Sequence, residues 1–366
     1  MGSRTFDAKY ALIGEDLIIK ENVRIHLNQN NKIIDIEEIN NVNNKSLLIP
    51  GFFNSHCHSG DFGLYNKFPS GLNLAQLVGD NSIKSNYLNT MTYNELSDNI
   101  FKFAKNGIKN NITLYCDFRE GGIIGTQPYL DSENMNLINF NFKQLNIDNI
   151  NVTILSRPES LEEAKILSNN FGLGIRDIYY YPIDDLIEFV NIYATNNKPI
   201  QIHVSEDLEK RNAWLNDTGE TDLIWAAKNL SPELLIHTNH AEQYEYQFLK
   251  EQNLPITICA SSNNITKTKE IDWQGLQEID FPIKLINLGS DNAMFSQNEI
   301  RNEIKNIQLK FNLDSTDLLK ISMLPDKIPS LNLVHNIEIG KFFRGTFVNV
   351  KKSITNHNDV ISHILD

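Results

Sequence analysis

The stretch IPGFFNSHCHSG, residues 49–60, decides how the rest of the chain is read. An apolar run meets a proline and a glycine, and two histidines then follow one residue apart. On extended backbone, residues i and i+2 face the same side, so His56 and His58 can enter one space and bind one metal ion while Cys57 points away. Two surface histidines would give the same pattern, so the pair alone leaves both readings open.

Working outward, residues 9–40 show short alternating apolar runs broken by Gly14-Glu15-Asp16 and by the polar stretch 28–31, a pattern of small antiparallel strands. From Ser46 the texture changes to short apolar strands alternating with helix-length amphipathic segments. Candidate strands are residues 47–53, 112–118, 151–155, 172–179, 199–204, 234–237, 255–260 and 284–289. Capping boxes at Thr92-x-x-Glu95 and Ser160-x-x-Glu163 open two of the intervening helices. Eight such units predict an α/β fold, a (β/α)8 TIM barrel over residues 49–325. One more helix, STDLLKISML, precedes a tail of short β runs that can pair with the N-terminal strands. Residues 1–48 and 326–366 are therefore expected to form one composite domain of β-sandwich type.

Bulk properties narrow the partners. Among 366 residues, 41% are hydrophobic and 22% charged, enough apolar side chains for a sizeable core. A formal charge of −13 speaks against a grip on nucleic acid or anionic lipid, which needs clustered Lys and Arg. A neutral or cationic small molecule is the easier partner. Three cysteines without a CxxC pair, no signal-like N-terminal segment and no run of roughly 18 apolar residues lead to the expectation of a cytoplasmic protein with reduced thiols and no membrane contact. Oligomeric state stays open, a homo-oligomer included.

Only nine histidines occur, yet several close predicted strands, where barrel enzymes place their chemistry. His203 ends the fifth strand in PIQIHVSED, with Glu206 three residues on. A carboxylate there can take a proton from metal-bound water and pass it on. His237 ends the sixth strand in ELLIHTNHAEQ, while His240 reads as the start of the next helix. Asp291 follows the eighth strand in INLGSDNAMF, after Gly289, which permits a tight turn.

Taken in order, these segments resemble the amidohydrolase superfamily, in its metal-dependent deaminase and chlorohydrolase branch. PGFFNSHCHSG is similar to the family's PGxxNxHxH first strand, IHVSE to HxxE, IHTNH to HxxH, ASSNN to PxSN and LGSDNA to GTDG. The tail HNIEIGKFFRGTFVNV looks like the family's closing strands. The resemblance implies that His56, His58, His203 and Asp291 hold one divalent ion, Zn2+ or Fe2+, with His237 bonded to its water or to the developing alkoxide. Other branches bridge two metals with a carboxylated lysine on the fourth strand. FGLGIRDIYYYP has none, which favours a single ion.

The implied reaction is hydrolytic deamination of an amino-substituted N-heterocycle such as a purine, pterin or pyrimidine-like ring, with Glu206 shuttling a proton and His237 and Asp291 orienting hydroxide. Two alternatives are hydrolysis of a cyclic amide or displacement of a chloro or alkylamino group at the same site, and a non-catalytic binding descendant. Departures from the family pattern are Ala260 and Ser261 where proline is common, Asn292 in place of the glycine after the aspartate, and GTFVNV in the tail. Substrate contacts are expected on strand ends that carry no metal ligand: Arg119 and Glu120, then Arg157 and Arg176, with Asp177 and tyrosines 179–181 nearby. A structural Arg–Asp pair at the barrel rim is the competing reading for each arginine.

Overall fold

The structure, a computed structural model, describes residues 4–131, 150–311, 313–325, 327–331 and 336–365. Strands β1 (Arg4–Ile13), β2 (Ile18–Leu27) and β3 (Ile33–Glu38) form an antiparallel meander, and β4 (Ser46–Pro50) runs parallel to β1. Period-two alternation gives this sheet two apolar faces. Tyr10, Leu12, Leu47 and Ile49 join the large core beneath the barrel helices, whereas Ala11, Ile25 and Leu48 pack with Ile337 and Phe343 in a cluster of their own.

The run 47–53, expected as one strand, is two. β4 ends at Pro50 and β5 (Phe52–His58) begins after Gly51. A Cβ on Gly51 would lie 2.0 Å from Thr113 Oγ1, so the chain can pass from one sheet to the other only through glycine here.

Seven further strands follow in parallel, each paired with its sequence neighbour: β6 (Ile112–Arg119), β7 (Asn151–Ser156), β8 (Gly172–Ile175), β9 (Ile200–Val204), β10 (Leu234–His237), β11 (Ile256–Ile258) and β12 (Ile286–Leu288). The short β13 (Asp291–Asn292) continues β12 after two residues and pairs with β5, Asp291 opposite Cys57, so the eighth strand closes on the first. Alternate residues Leu114, Cys116 and Phe118 meet Phe53, Leu155, Leu234 and Ile236 in a separate apolar cluster, whereas Tyr115 packs with the outer core. The fourth strand stops at Ile175 rather than residue 179, because the Asp177 side chain accepts from Tyr179 N at 2.9 Å and turns the chain. The seventh is shorter than expected because Ala260 already opens the helix Ala260–Thr266.

β14 (Gly345–Asn349) pairs antiparallel with β4 and completes the five-stranded terminal sheet. The helix His357–Leu365 after it was not read from the sequence; it buries Val360, Ile361 and Ile364. Between β5 and β6 the chain makes a long excursion through helices α1 (Leu74–Val78), α2 (Ile83–Thr90) and α3 (Tyr93–Lys109). The Thr92–Glu95 capping box opens α3, with Thr92 N donating to Glu95 Oε2 at 2.8 Å. Among the described residues no helix is long and apolar enough to cross a membrane.

Candidate metal and active site

His56 and His58 on β5, His203 on β9, His237 at the end of β10 and Asp291 on β13 converge at the C-terminal end of the barrel, with Glu206 in the loop after β9. Four residues here hold left-handed backbone without being glycine: Ser205 (φ 50°), His237 (φ 73°), Thr238 (φ 56°) and Asp291 (φ 55°). Such conformations cost about 1–3 kcal/mol each and persist only where neighbours enforce them. Asp222 accepts from Ser205 N at 2.6 Å and Ser205 Oγ at 2.7 Å, which aims the next residue, Glu206. Asp117 clamps Ser59, the residue after His58, in the same way, at 2.8 and 2.5 Å. Ser262 Oγ donates to Asp291 Oδ2 at 2.5 Å.

The donor atoms crowd one point. His56 Nε2 lies 3.1 Å from His203 Nε2 and 3.3 Å from Asp291 Oδ1, and His58 Nε2 lies 3.5 Å from that same oxygen. His203 Nδ1 faces the Ile175 carbonyl at 2.9 Å and His58 Nδ1 faces Glu120 Oε1 at 2.7 Å. The Ile175 carbonyl is an acceptor, so His203 Nδ1 carries the hydrogen and its Nε2 presents a lone pair. Burial holds the His56 imidazole neutral, its pKa pushed down to about 3, and pushes His203 well below the usual histidine range. Burial opposes the Asp291 charge, but the His56 hydrogen bond and the neighbouring imidazoles outweigh it and keep the carboxylate ionised. Imidazole nitrogens and a carboxylate oxygen from three strands thus stand 3.1–3.5 Å apart in a buried space. Tetrahedral zinc with bonds of about 2.0–2.1 Å spaces its ligands by about 3.3 Å. The donor set therefore fits a divalent metal.

A cavity of about 620 Å³ opens above these groups, lined by residues from α1 and α2 as well as by strand ends. Glu206 Oε1 lies 3.5 Å from His237 Nε2, and burial pushes the Glu206 carboxyl up. Of the expected substrate contacts, Arg157 lines the cavity with a buried Nε that makes no hydrogen bond among the described residues. Arg176 stands at the rim, paired with Asp80 at 2.6 Å and stacked over Tyr180. Arg119 lines the cavity but is almost wholly buried, donating from Nε to Gly125 O at 3.3 Å and packed against Gly60. Glu120 is engaged by His58 and by Lys84, 2.6 Å away. Lys84 and the buried Asp61, whose carboxyl burial pushes up to about 7, were not read from the sequence. Neither lies in a motif, although Asn292, a partner of Lys84, was visible as a departure from the family pattern.

No family profile matches the chain. Among curated proteins, an uncharacterized protein of Methanocaldococcus jannaschii is 25% identical over 336 residues, covering 88% of this chain and 83% of its own. A protein of Archaeoglobus fulgidus named "Putative aminohydrolase" is 25% identical over 259 residues, 70% of this chain and 67% of its own. Among solved structures, triazine hydrolase from Arthrobacter aurescens superposes with a TM-score of 0.81 at 10% identity, over 99% of this chain and 91% of its own. The chain and triazine hydrolase share one barrel fold. Helicobacter pylori aminofutalosine deaminase in complex with methylthio-coformycin (TM-score 0.75, 15% identity, 99% and 96% covered) and a zinc-bound adenosine deaminase from Xanthomonas campestris (0.74, 13%, 98% and 88%) share it. In this chain the sequence departures leave the donor set whole: Ala260 starts a helix, and Asn292 turns its amide onto Asp291.

Proposed function

We propose that the chain is a metal-dependent hydrolase that removes the amino group of an amino-substituted N-heterocycle, a purine, pterin or pyrimidine-like ring, releasing ammonia. The observation that carries this reading is the pairing of Glu206 with His237 beside the four-donor set, on the wall of a cavity large enough for such a ring. A divalent ion held by His56, His58, His203 and Asp291, with Zn2+ preferred over Fe2+, would supply a water acidic enough to ionise near neutral pH.

The protein's own groups divide the proton work. Glu206 takes one proton of the attacking water and delivers it to the ring nitrogen beside the amine-bearing carbon, a task suited to a carboxyl whose pKa burial has raised. His237 donates from Nε2 to the oxygen that gains charge as that carbon becomes tetrahedral. Asp291 accepts the second proton and passes it to the amine. The carbon–nitrogen bond then breaks, ammonia leaves and a ring carbonyl remains. Arg157 offers an open donor to a ring carbonyl or nitrogen, while Arg119 and Glu120, engaged with protein partners, shape the floor.

Screening amino-heterocycles for ammonia release, with Glu206→Gln as the control, tests the reading. Release from at least one ring by the wild type, abolished in the variant, is expected. Equal release by the variant would remove Glu206 from the mechanism.

A further inference from the structure

Lys84 lies outside every motif of the sequence, yet its side chain is only 8% exposed. A lysine is almost never so buried unless its charge is met. Its Nζ stands 2.6 Å from Glu120 Oε1, 2.5 Å from Asn292 Oδ1 and 3.8 Å from Asp61 Oδ2. The first two partners each touch a candidate metal ligand. Glu120 Oε1 is 2.7 Å from His58 Nδ1, and Asn292 Nδ2 donates to Asp291 Oδ1 at 3.0 Å. Asn292 stands where the resembling family carries glycine, which could make neither contact.

We propose that Lys84 is a positioning residue for the metal site, tying His58 through Glu120, and Asp291 through Asn292, to helix α2. The inference rests on the metal-hydrolase reading. The partner of a ligating imidazole's second nitrogen sets the orientation of the ring and the nitrogen left free for metal. Glu120 has another cation to turn to, since Arg119 NH1 lies 3.8 Å from its Oε2; Lys84 keeps the other oxygen on the His58 side. The same ammonium holds Asn292 by its oxygen, which leaves the amide nitrogen for Asp291. Helix α2 therefore builds a cavity wall and braces two of the four ligands at once. The neighbouring Asp80, paired with Arg176, fastens the excursion to the far rim.

The test measures zinc affinity by competition with a chromogenic chelator on the full chain, for the wild type, Lys84→Met, Asn292→Gly, the double variant and Lys84→Arg. Lys84→Met is expected to weaken zinc binding about 10- to 100-fold. Asn292→Gly weakens it with no change of charge, the double variant loses less than the sum of the two single losses because both cut the tie from Lys84 through Asn292 to Asp291, and Lys84→Arg regains part of the loss. Affinity in Lys84→Met within about twofold of wild type, or tighter, overturns the inference; tighter binding would mean that the ammonium only repels the ion. Additive losses in the double variant overturn it too. If Lys84→Met does not fold, unchanged affinity in Asn292→Gly overturns it alone. A wild type that takes up no zinc overturns the metal reading itself, whereas tight wild-type binding with unaltered variants sinks only the role of Lys84.

Discussion

His56 Nε2 and His203 Nε2 stand 3.1 Å apart although 147 residues separate them in the chain. Burial holds both rings neutral, and the two nitrogens meet in a buried space beside the Asp291 carboxylate. Such an arrangement is a site prepared for a cation, and its energetics can be measured without any substrate.

Removal of metal is the first consequence. A site filled at about a thousand times its Kd adds about 4 kcal/mol to stability. Chelation is expected to lower the thermal midpoint of the purified protein, and His203→Ala to abolish that response and the stoichiometric metal. Calorimetry with metal analysis checks both, and a midpoint indifferent to chelator would show that the donor set holds no ion.

Glu206→Gln should keep the metal and lose the reaction. Positioned general acid–base groups contribute about 10²–10⁴-fold to rate, so ammonia release is expected to fall by that factor. Metal analysis of the same preparation separates lost proton transfer from a lost ion, and a variant without metal would place Glu206 in the binding set instead.

Glu303 makes stability depend on pH in a direction opposite to that of a salt-bridged acid. It is fully buried, accepts from Ser261 N at 2.9 Å, and burial raises its carboxyl from 4.5 to about 7. The folded protein therefore holds a proton that the unfolded chain has released between those values, and stability falls as pH rises through the window. The shift corresponds to a loss of about 3 kcal/mol. Denaturant titrations between pH 4.5 and 8 should show that slope in the wild type and a weaker one in Glu303→Gln; parallel curves would mean that Glu303 titrates normally.

Gly51→Ala should be destabilising far from the chemistry. The added Cβ meets three atoms of Thr113, the nearest at 2.0 Å, and overpacking of this kind costs about 1–3 kcal/mol. Thr113→Gly in the same chain should recover part of the loss, and urea midpoints that are additive for the pair would rule out the clash.

The alternation of strands and helices, the two capping boxes and the order of the strand-end motifs were legible in the sequence, because periodicity and local capping are properties of neighbouring residues. Seven of the eight barrel strands fall where apolar runs were read, with ends unmoved or moved by up to four residues, whereas the first overlaps its run 47–53 only at Phe52 and Phe53. The ends moved where a side chain intervened: Asp177 stops β8, and the start of a helix at Ala260 trims β11. The split at Gly51 was not legible, since the atom that demands it belongs to Thr113 on another strand.

What the sequence determined by itself is which residues stand at the strand ends, since a histidine closing an apolar run is carried to the barrel mouth wherever the barrel closes. The tertiary structure alone decided what stands behind them. Asp222 and Asp117 hold the serines that aim Glu206 and follow His58, while Arg119 is packed away from open solvent. Lys84, from a helix with no motif, reaches Asn292 across 208 positions of chain. A buried charge is stable only where partners from several elements meet around it, and only the closed fold brings those elements together.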